Sequence, residues 1–593
     1  MADPISRRDV DFLLYEWLDV EQLTKADRYA EHSKDTFDAV LDLASDIAIK
    51  KYAPFNKYCD QNEPYIGDDG KVVLPDATGD AVREFLAAGL IAGPFGTELD
   101  GGSLPATVHQ AAMIWFQAAN PAMSSYTFLT VGNAGLLAEY GTPDQIDTWV
   151  RPMLEGRFFG TMCLSEPGAG SSLSDITTKA TPVGDGTYRV TGTKMWISAG
   201  DHELGENIVH LVLAKAPGGG PGVKGISLFI VPKVLPDGTR NDVALVGLNH
   251  KMGQRGTTNT LLNFGDGTFP VGDGQGALGY LVGEEHKGLF YMFHMMNEAR
   301  IGVGFLATAI GYAGYLQSVE YAKTRVQGRP VDAKDPAAKP VAIIEHPDVK
   351  RMLLAQKSYV EGALALCLWS SLLVDRVAAT GDEDERARAA LLLDVITPIS
   401  KSWPSQWCLT ANDLAIQVHG GYGYTKEFDV EQCYRDNRLN PIHEGTHGVQ
   451  AIDLLGRKFT MKGGTGLRVL VETITETIDR ATAAGGAAAG YAAALRAALE
   501  RIPAAVLTAW ADADPAVALA NATAFLEATG HTVLAWLWLE QFLAADGKEG
   551  DFYDGKRAAT RYFFTYELPK TGPMFDLVMA KDRTTLDTPA EWF

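Results

Sequence analysis

Two histidines flank a glutamate in the run His443-Glu444-Gly445-Thr446-His447. As a string this is His-Glu-x-x-His, the pattern in which two histidines one helical turn apart bind zinc and the glutamate activates water. Glu472 downstream would be the third ligand. Pro441 and Gly445 argue against the unbroken helix that such ligation needs, because a glycine inside a helix costs about 1 kcal/mol. The competing arrangement sets Glu444 in a loop just ahead of a helix beginning near Thr446, where its carboxylate can act as a general base. On that arrangement no metal is expected.

Three further segments pair flexible backbone with polar or flat side chains. Leu164-Ser165-Glu166-Pro167-Gly168-Ala169-Gly170-Ser171-Ser172 offers free amides and hydroxyls to a phosphate or a heteroaromatic ring, or it is an ordinary turn. It has neither the spacing of a dinucleotide-binding glycine fingerprint nor that of a P-loop. In Gly192-Thr193-Lys194-Met195-Trp196-Ile197-Ser198-Ala199-Gly200 the indole of Trp196 either fills a core or stacks on a planar ligand, with Ser198 donating at the ring edge. In Gln417-Val418-His419-Gly420-Gly421-Tyr422-Gly423-Tyr424 the glycines either cap a helix or expose amides to a pyrophosphate.

The elements around these segments change texture along the chain. Apolar residues at helical spacing dominate from Thr36 to about Tyr140, for instance in Val40–Ile49 and Ala81–Leu90. From Gly156 to about Gly283 short β-type runs alternate with turns, among them 187–191, 208–214, 226–231 and 260–264. Long amphipathic patterns return over 289–326, 347–379, 383–418 and 446–459. The Ala-rich run 481–498 predicts a helix packed through small residues, followed by another over 517–545. The fold expected is mainly α with a central antiparallel β domain and an extra C-terminal helical domain. Its divisions are an arm (1–35), a helical domain (36–155), a β domain (156–284), a helical bundle (285–462) and the addition (463–593).

Composition narrows the chemistry. The chain has 593 residues, 46% hydrophobic and 21% charged, which excludes a small disulfide or metal scaffold and global disorder. Asp and Glu number 74 against 52 Lys and Arg, so the net charge of -22 repels nucleic acid and anionic lipid. An anionic ligand must be met by local cations or amides. The five cysteines lie far apart without a Cys-x-x-Cys pair, which suits a reducing compartment. With a polar N-terminus and long apolar runs interrupted by charges and turn formers, a soluble cytoplasmic protein without membrane contact is expected.

Taken in order, these segments resemble the acyl-CoA dehydrogenase family over roughly Phe37 to Lys458, and the length, arm and appended domain resemble its long bacterial branch. The resemblance implies FAD held among the domains and dehydrogenation of an acyl-CoA thioester to the trans-2-enoyl-CoA, with a glutamate facing the flavin across the substrate. It places Met162, Leu164 and Ser165 along the strand and loop that cover the flavin, and Gly170 and Ser171 at its phosphate or at the pantetheine arm. Trp196 and Ser198 match residues beside the ring's N5 edge. Arg325, Gln417, Gly420 and Gly421 match groups that meet the FAD pyrophosphate of a neighbouring subunit, which implies a homodimer or homotetramer. Glu444 matches the catalytic base and Thr446 a flavin contact. Asn297, Arg300, His443 and Gly445 fall on the substrate side, and the acyl end falls near Tyr126 to Val131.

This chain departs from the family pattern at two points. His443 stands for the customary Tyr, and Gly448 for a frequent Gln. Members that carry their base on another helix place it just before an arginine matching Arg300; here that position is Ala299, with Glu298 one step off, so Glu444 is the assignment. Family members pass electrons to an electron-transferring flavoprotein, and a few use oxygen. A DNA-associated flavoprotein of the same superfamily is the alternative within the resemblance. It wants a basic surface, whereas residues 461–593 carry 17 acidic against 12 basic side chains.

Overall fold

The computed structural model describes residues 3–335 and 337–593, without the side chains of His294, Met296 and Asn297. Two compact units emerge: one from Asp38–Leu104 and Trp115–Ala299, the other from the N-terminal stretch up to Phe37, Pro105–Ile114 and Arg300–Phe593. Secondary structure is mainly helical with the strands concentrated mid-sequence, as expected.

In the first unit, strands β1 (Phe158–Cys163), β2 (Lys179–Pro182), β3 (Thr187–Ser198), β4 (Asn207–Lys215), β5 (Ile226–Pro232), β6 (Val243–Leu248), β7 (Asn259–Phe264) and β8 (Ala277–Leu281) form one sheet. Its order is β8-β5-β4-β2-β3-β7-β6, and β8 also pairs β3, closing a ring. Antiparallel pairs dominate, as expected, while β1 pairs with β4 in parallel over six residues. The reason for the long apolar runs in β4 and β5 is burial on both faces. Val209, Leu211 and Leu213 pack with Leu136 and Leu137 of helix α1 (Pro121–Tyr140), while Val212 and Ala214 pack inside the ring with Phe229, Val231 and Phe264.

Helix α1 begins with Asn120 as N-cap, its side chain accepting from Met123 N at 3.1 Å, and Pro121 at the first helical position. Mid-helix, Asn133 Nδ2 donates to the carbonyls of Thr161 (3.0 Å) and Val209 (2.9 Å), bolting α1 across β1 and β4. Only a glycine fits beneath it: a Cβ on Gly160 would lie 2.5 Å from that of Asn133.

The second unit is built on long helices: α2 (Gly288–Thr324, within this unit from Arg300), α3 (Pro347–Ala379) and α4 (Glu383–His419). Asp382 caps α4 by accepting from the N–H groups of Asp384 and Glu385. The charged residues that punctuate α3 do not prevent an 18-residue window apolar enough for a bilayer, but 72% of that window is buried and α3 is a core helix of the unit. Short helices α5 (Val430–Asn437) and α6 (His447–Asp453) follow, then α7 (Met461–Ala484), α8 (Gly486–Ala509), α9 (Ala522–Ala544) and α10 (Asp551–Tyr562). The Ala-rich run is therefore not one helix: Gly485, at φ 76°, breaks it into the end of α7 and the start of α8.

The N-terminal arm is bound into this unit by buried charge. Asp9 meets Lys556 of α10, which also lies 2.8 Å from Glu361 of α3, and Tyr312 donates to Asp9 at 2.9 Å. Lys357 pairs with Glu361, so two cations balance two anions, as sealed charges must. Asp375 adds a second tie, accepting from Tyr29 (3.0 Å) and from the Thr107 hydroxyl (2.5 Å).

Candidate functional site

The first unit contributes the Gly-rich loop after β1 and the bulged end of β3. Met162 packs with the core between α1 and the sheet, and Leu164 is buried with its carbonyl accepting from Lys194 Nζ at 2.9 Å. Ser165 O accepts from Met195 N at 3.0 Å, which joins the loop to β3. Gly170 and Ser171 are exposed, and a Cβ on Gly168 or Gly170 would meet nothing within 4 Å. Glu166 in this loop anchors it: its carboxylate accepts from the N–H groups of Thr177 (2.6 Å) and Thr178 (3.0 Å), from both their hydroxyls, and from Lys194 (3.0 Å). Burial alone would raise the carboxyl; the Lys194 charge and the threonine donors outweigh it and bring the pKa down to about 2.

The pairing of β3 with β7 slips between Lys194 and Ile197, and Trp196 sits in that bulge at φ 66°, with 58% of the residue exposed. A left-handed backbone is unfavourable for a bulky L-residue, and bulges re-aim side chains. The outcome is a large flat apolar face turned to solvent, not a core tryptophan. Ser198, two residues on, accepts from Asn259 Nδ2 at 3.4 Å. Tyr126 is buried, its hydroxyl accepting from Thr258 N and donating to Gly256 O.

In the second unit the loop between α5 and α6 carries Glu444. Gly445 takes φ 69°, and a Cβ there would fall 2.2 Å from Gln450 Nε2, so the turn after Glu444 favours glycine. Thr446 is the N-cap position and α6 starts at His447. The zinc arrangement is thereby corrected: the two histidines are not on one helical turn, His447 Nε2 is 2.7 Å from Glu527 on α9, and Glu472 pairs with Arg388. Among the described residues no group of three His, Cys, Asp or Glu side chains could hold a metal ion.

Glu444 lies within reach of two buried cations. Arg300 Nη2 on α2 is 3.6 Å from its Oε1, with Arg300 Nη1 3.8 Å from Asp453. Lys401 on α4 donates to the carbonyls of Asn440 (2.7 Å) and His443 (3.2 Å). Burial pushes the Glu444 carboxyl above its usual range, and the charges of Arg300 and Lys401 only partly offset it. His443 is held neutral, its pKa lowered to about 3 by burial and by Lys401. Asn297 falls on α2, and its side chain is outside the described residues. Lys401 escaped sequence reasoning, although it is the one charged residue in the stretch Thr397–Ser405.

The remaining predicted residues gather elsewhere in the second unit. Arg325, Gln417, Gly420 and Gly421 line a cavity of about 690 Å³ together with Tyr321 and Tyr422. Gly420 has φ 60°, and a Cβ on it or on Gly421 would meet nothing within 4 Å, so their backbone borders open space. Arg325 lies 5.6 Å from the centroid of the Tyr422 ring and 3.3 Å from Gln327 Oε1, and His419 stacks on Tyr321 at 4.2 Å. An arginine, an amide side chain and glycine backbone around one cavity are a donor set for phosphate oxygens.

Comparison with known proteins agrees along nearly the whole chain. Residues 161–266 match the description "Acyl-CoA dehydrogenase, middle domain", 286–458 match "Acyl-CoA dehydrogenase, C-terminal domain", and 470–589 match "Acetyl-CoA dehydrogenase C-terminal like". The chain is 36% identical to 3-methylmercaptopropionyl-CoA dehydrogenase of Ruegeria pomeroyi, over 94% of each chain. It is 33% identical to a butyryl-CoA dehydrogenase of Syntrophomonas wolfei, over 98% of each. Its fold superposes on an acyl-CoA dehydrogenase from Bacillus anthracis complexed with FAD at a TM-score of 0.75, with 19% identity, covering 93% of this chain and 89% of that one.

Proposed function

The chain belongs to the acyl-CoA dehydrogenase family, and from that premise we propose that it oxidises a short linear acyl-CoA to the trans-2-enoyl-CoA with Glu444 as the base. It is an oxidoreductase of a family of FAD enzymes. The residues fit that cofactor: the outward face of Trp196 is a platform for a planar ring, Ser198 a polar group at its edge, and the Arg325 cavity a seat for phosphates. FAD, when bound, supplies the acceptor for the hydride that leaves the β carbon. The named substrates of the two relatives, 3-methylmercaptopropionyl-CoA and butyryl-CoA, support a short acyl group.

The single observation carrying this reading is Glu444 itself, a glutamate made basic by burial yet faced by Arg300 and Lys401. A carboxylate in water is too weak a base for a proton α to a thioester; desolvation raises its affinity for that proton. The nearby cations keep the empty carboxylate from being neutralised before substrate arrives. The backbone N–H of Glu444 is suited to donate to the thioester carbonyl and to stabilise enolate charge as the α proton leaves. His443, neutral, contributes shape and no charge on the substrate side.

The remaining assignments follow the same reading. Met162, Leu164, Ser165 and Thr446 border the flavin, Gly170 and Ser171 the phosphate or pantetheine, Asn297, Arg300 and Gly445 the substrate. Arg325, Gln417, Gly420 and Gly421 serve the cofactor of a second subunit in a homo-oligomer, and an electron-transferring flavoprotein takes the electrons. The divisions at 155/156, 284/285 and 462/463 are retained as domain boundaries, supported by the family matches. Five free, buried cysteines support a cytoplasmic location. The test is an anaerobic visible spectrum before and after butyryl-CoA and 3-methylmercaptopropionyl-CoA. Wild type loses its flavin band, whereas Glu444→Gln stays yellow and bleaches at least about a hundredfold more slowly. Bleaching at the wild-type rate in Glu444→Gln sinks the assignment.

A further inference from the structure

Lysine is rarely buried completely, because an ammonium taken from water costs several kcal/mol unless its partners are exceptional. Lys401 has 0% of its surface exposed. It occupies the stretch of α4 between Pro398 and Pro404, and its Nζ is bonded to the carbonyls of Asn440 and His443. Lys194, the buried lysine of the first unit, sits directly on a carboxylate. Lys401 instead grips backbone, and both carbonyls it grips belong to the loop that ends in Glu444. The loop's own bonds, such as His443 N to Leu439 O (3.1 Å) and His447 N to Pro441 O (3.1 Å), leave the carbonyls of Asn440 and His443 to Lys401.

We propose that Lys401 is the positioning residue of the Glu444 loop: its ammonium clamps the carbonyls of Asn440 and His443, and its charge, with that of Arg300, keeps the Glu444 carboxylate ionised until substrate is bound. The inference rests on Glu444 being the base and adds what holds that base in place. The charged and titratable groups around Lys401 are Glu444 and His443 on the loop and Arg300 from α2; Asp453 of α6 stands behind Arg300, and His447 is paired with Glu527 of α9. Burial and Arg300 lower the lysine's own pKa to about 7 against the pull of Glu444. It is therefore charged throughout the acidic range in which a carboxylate titrates, and its removal makes Glu444 easier to protonate.

The experiment is kcat/KM for butyryl-CoA as a function of pH, with a dye as electron acceptor, for the FAD-loaded wild type, Lys401→Gln and Lys401→Met. The acid limb of kcat/KM reports the base of the free enzyme. In both variants this limb is expected to move up by about one pH unit, giving roughly tenfold lower activity on the acid side and much less loss above pH 8. Lys401→Gln, which keeps a donor for a carbonyl, is expected to preserve flavin content and most of kcat on the alkaline side; Lys401→Met loses the clamp and drops kcat at every pH as well. A limb unmoved in Lys401→Gln, with kcat/KM scaled equally at all pH values, makes the lysine merely structural and overturns the proposal. If Lys401→Met does not fold, the Gln variant alone decides. Glu444→Gln run beside them separates the two ideas: an active Glu444→Gln overturns the base assignment, whereas an inactive one with an unmoved Lys401→Gln limb overturns only the role of Lys401.

Discussion

Glu166 in the first unit is buried and Glu444 in the second half-buried, each near a lysine, and desolvation works to raise both carboxyls. Glu166 nevertheless ends far below its ordinary value and Glu444 above it. Around Glu166 the two oxygens take five donors, two of them backbone N–H groups and one the ammonium of Lys194 at 3.0 Å. Around Glu444 the nearest cation, Arg300, stands 3.6 Å off, and Lys401 gives its hydrogen bonds to carbonyls. A cation in the vicinity is thus a poor guide to a carboxylate's role. What separates an anion fixed for structure from one poised to accept a proton is how many donors touch its oxygens.

The contrast can be broken at its rigid end first. Lys194→Met strips the Glu166 carboxylate of its counter-charge inside the loop after β1, and such losses cost about 3–5 kcal/mol. Urea unfolding followed by fluorescence is expected to show that drop; a change under about 1 kcal/mol would mean the threonine donors suffice alone.

A smaller effect appears on acidification. Glu166 has a folded pKa of about 2 against an ordinary 4.5, so its contribution to stability is complete above 4.5 and fades as pH falls toward 2. Glu166→Gln, compared with wild type, is therefore expected to lose stability at pH 7 and to converge with wild type near pH 2 in unfolding titrations. Convergence already at pH 4 would contradict the depressed value.

The smallest effect has the opposite sign. The raised carboxyl of Glu444 favours the fold when protonated, below the ordinary carboxylate range, and that support is lost as pH rises through its folded value. Once ionised, native Glu444 is less well solvated than in the unfolded chain, so at pH 8 Glu444→Gln is expected to melt slightly higher than wild type, the gap closing at pH 4. A lower melting point at pH 8 would place Glu444 with Glu166 among the fixed anions.

Much of this was legible in the chain. The β-type runs in 208–214 and 226–231 announced strands, though not their burial on both faces, and Pro441 with Gly445 told a loop from a zinc-binding helix at Glu444. What escaped depends on contacts between distant positions. Lys401 lies 42 residues before the carbonyl of His443, and no local pattern pairs them. The outward turn of Trp196 comes from a bulge set by the register of β3 against β7. The parallel pairing of β1 with β4 and the helix break at Gly485 were likewise hidden, the second because alanines around it fit either helix equally well.

The tie between Asp9 and Lys556 spans 547 positions. At a ribosomal pace of roughly 5–20 residues per second, the segment carrying Asp9 is made about half a minute to two minutes before Lys556 exists. For that interval Phe12, sealed in the finished molecule, lacks the rings of Phe552 and Tyr553 that it meets edge-on. The buried charge cluster that ties Asp9 to α3 is thus completed only when α10 has been made, so synthesis order leaves Glu361 and Asp9 waiting for the lysine that balances them.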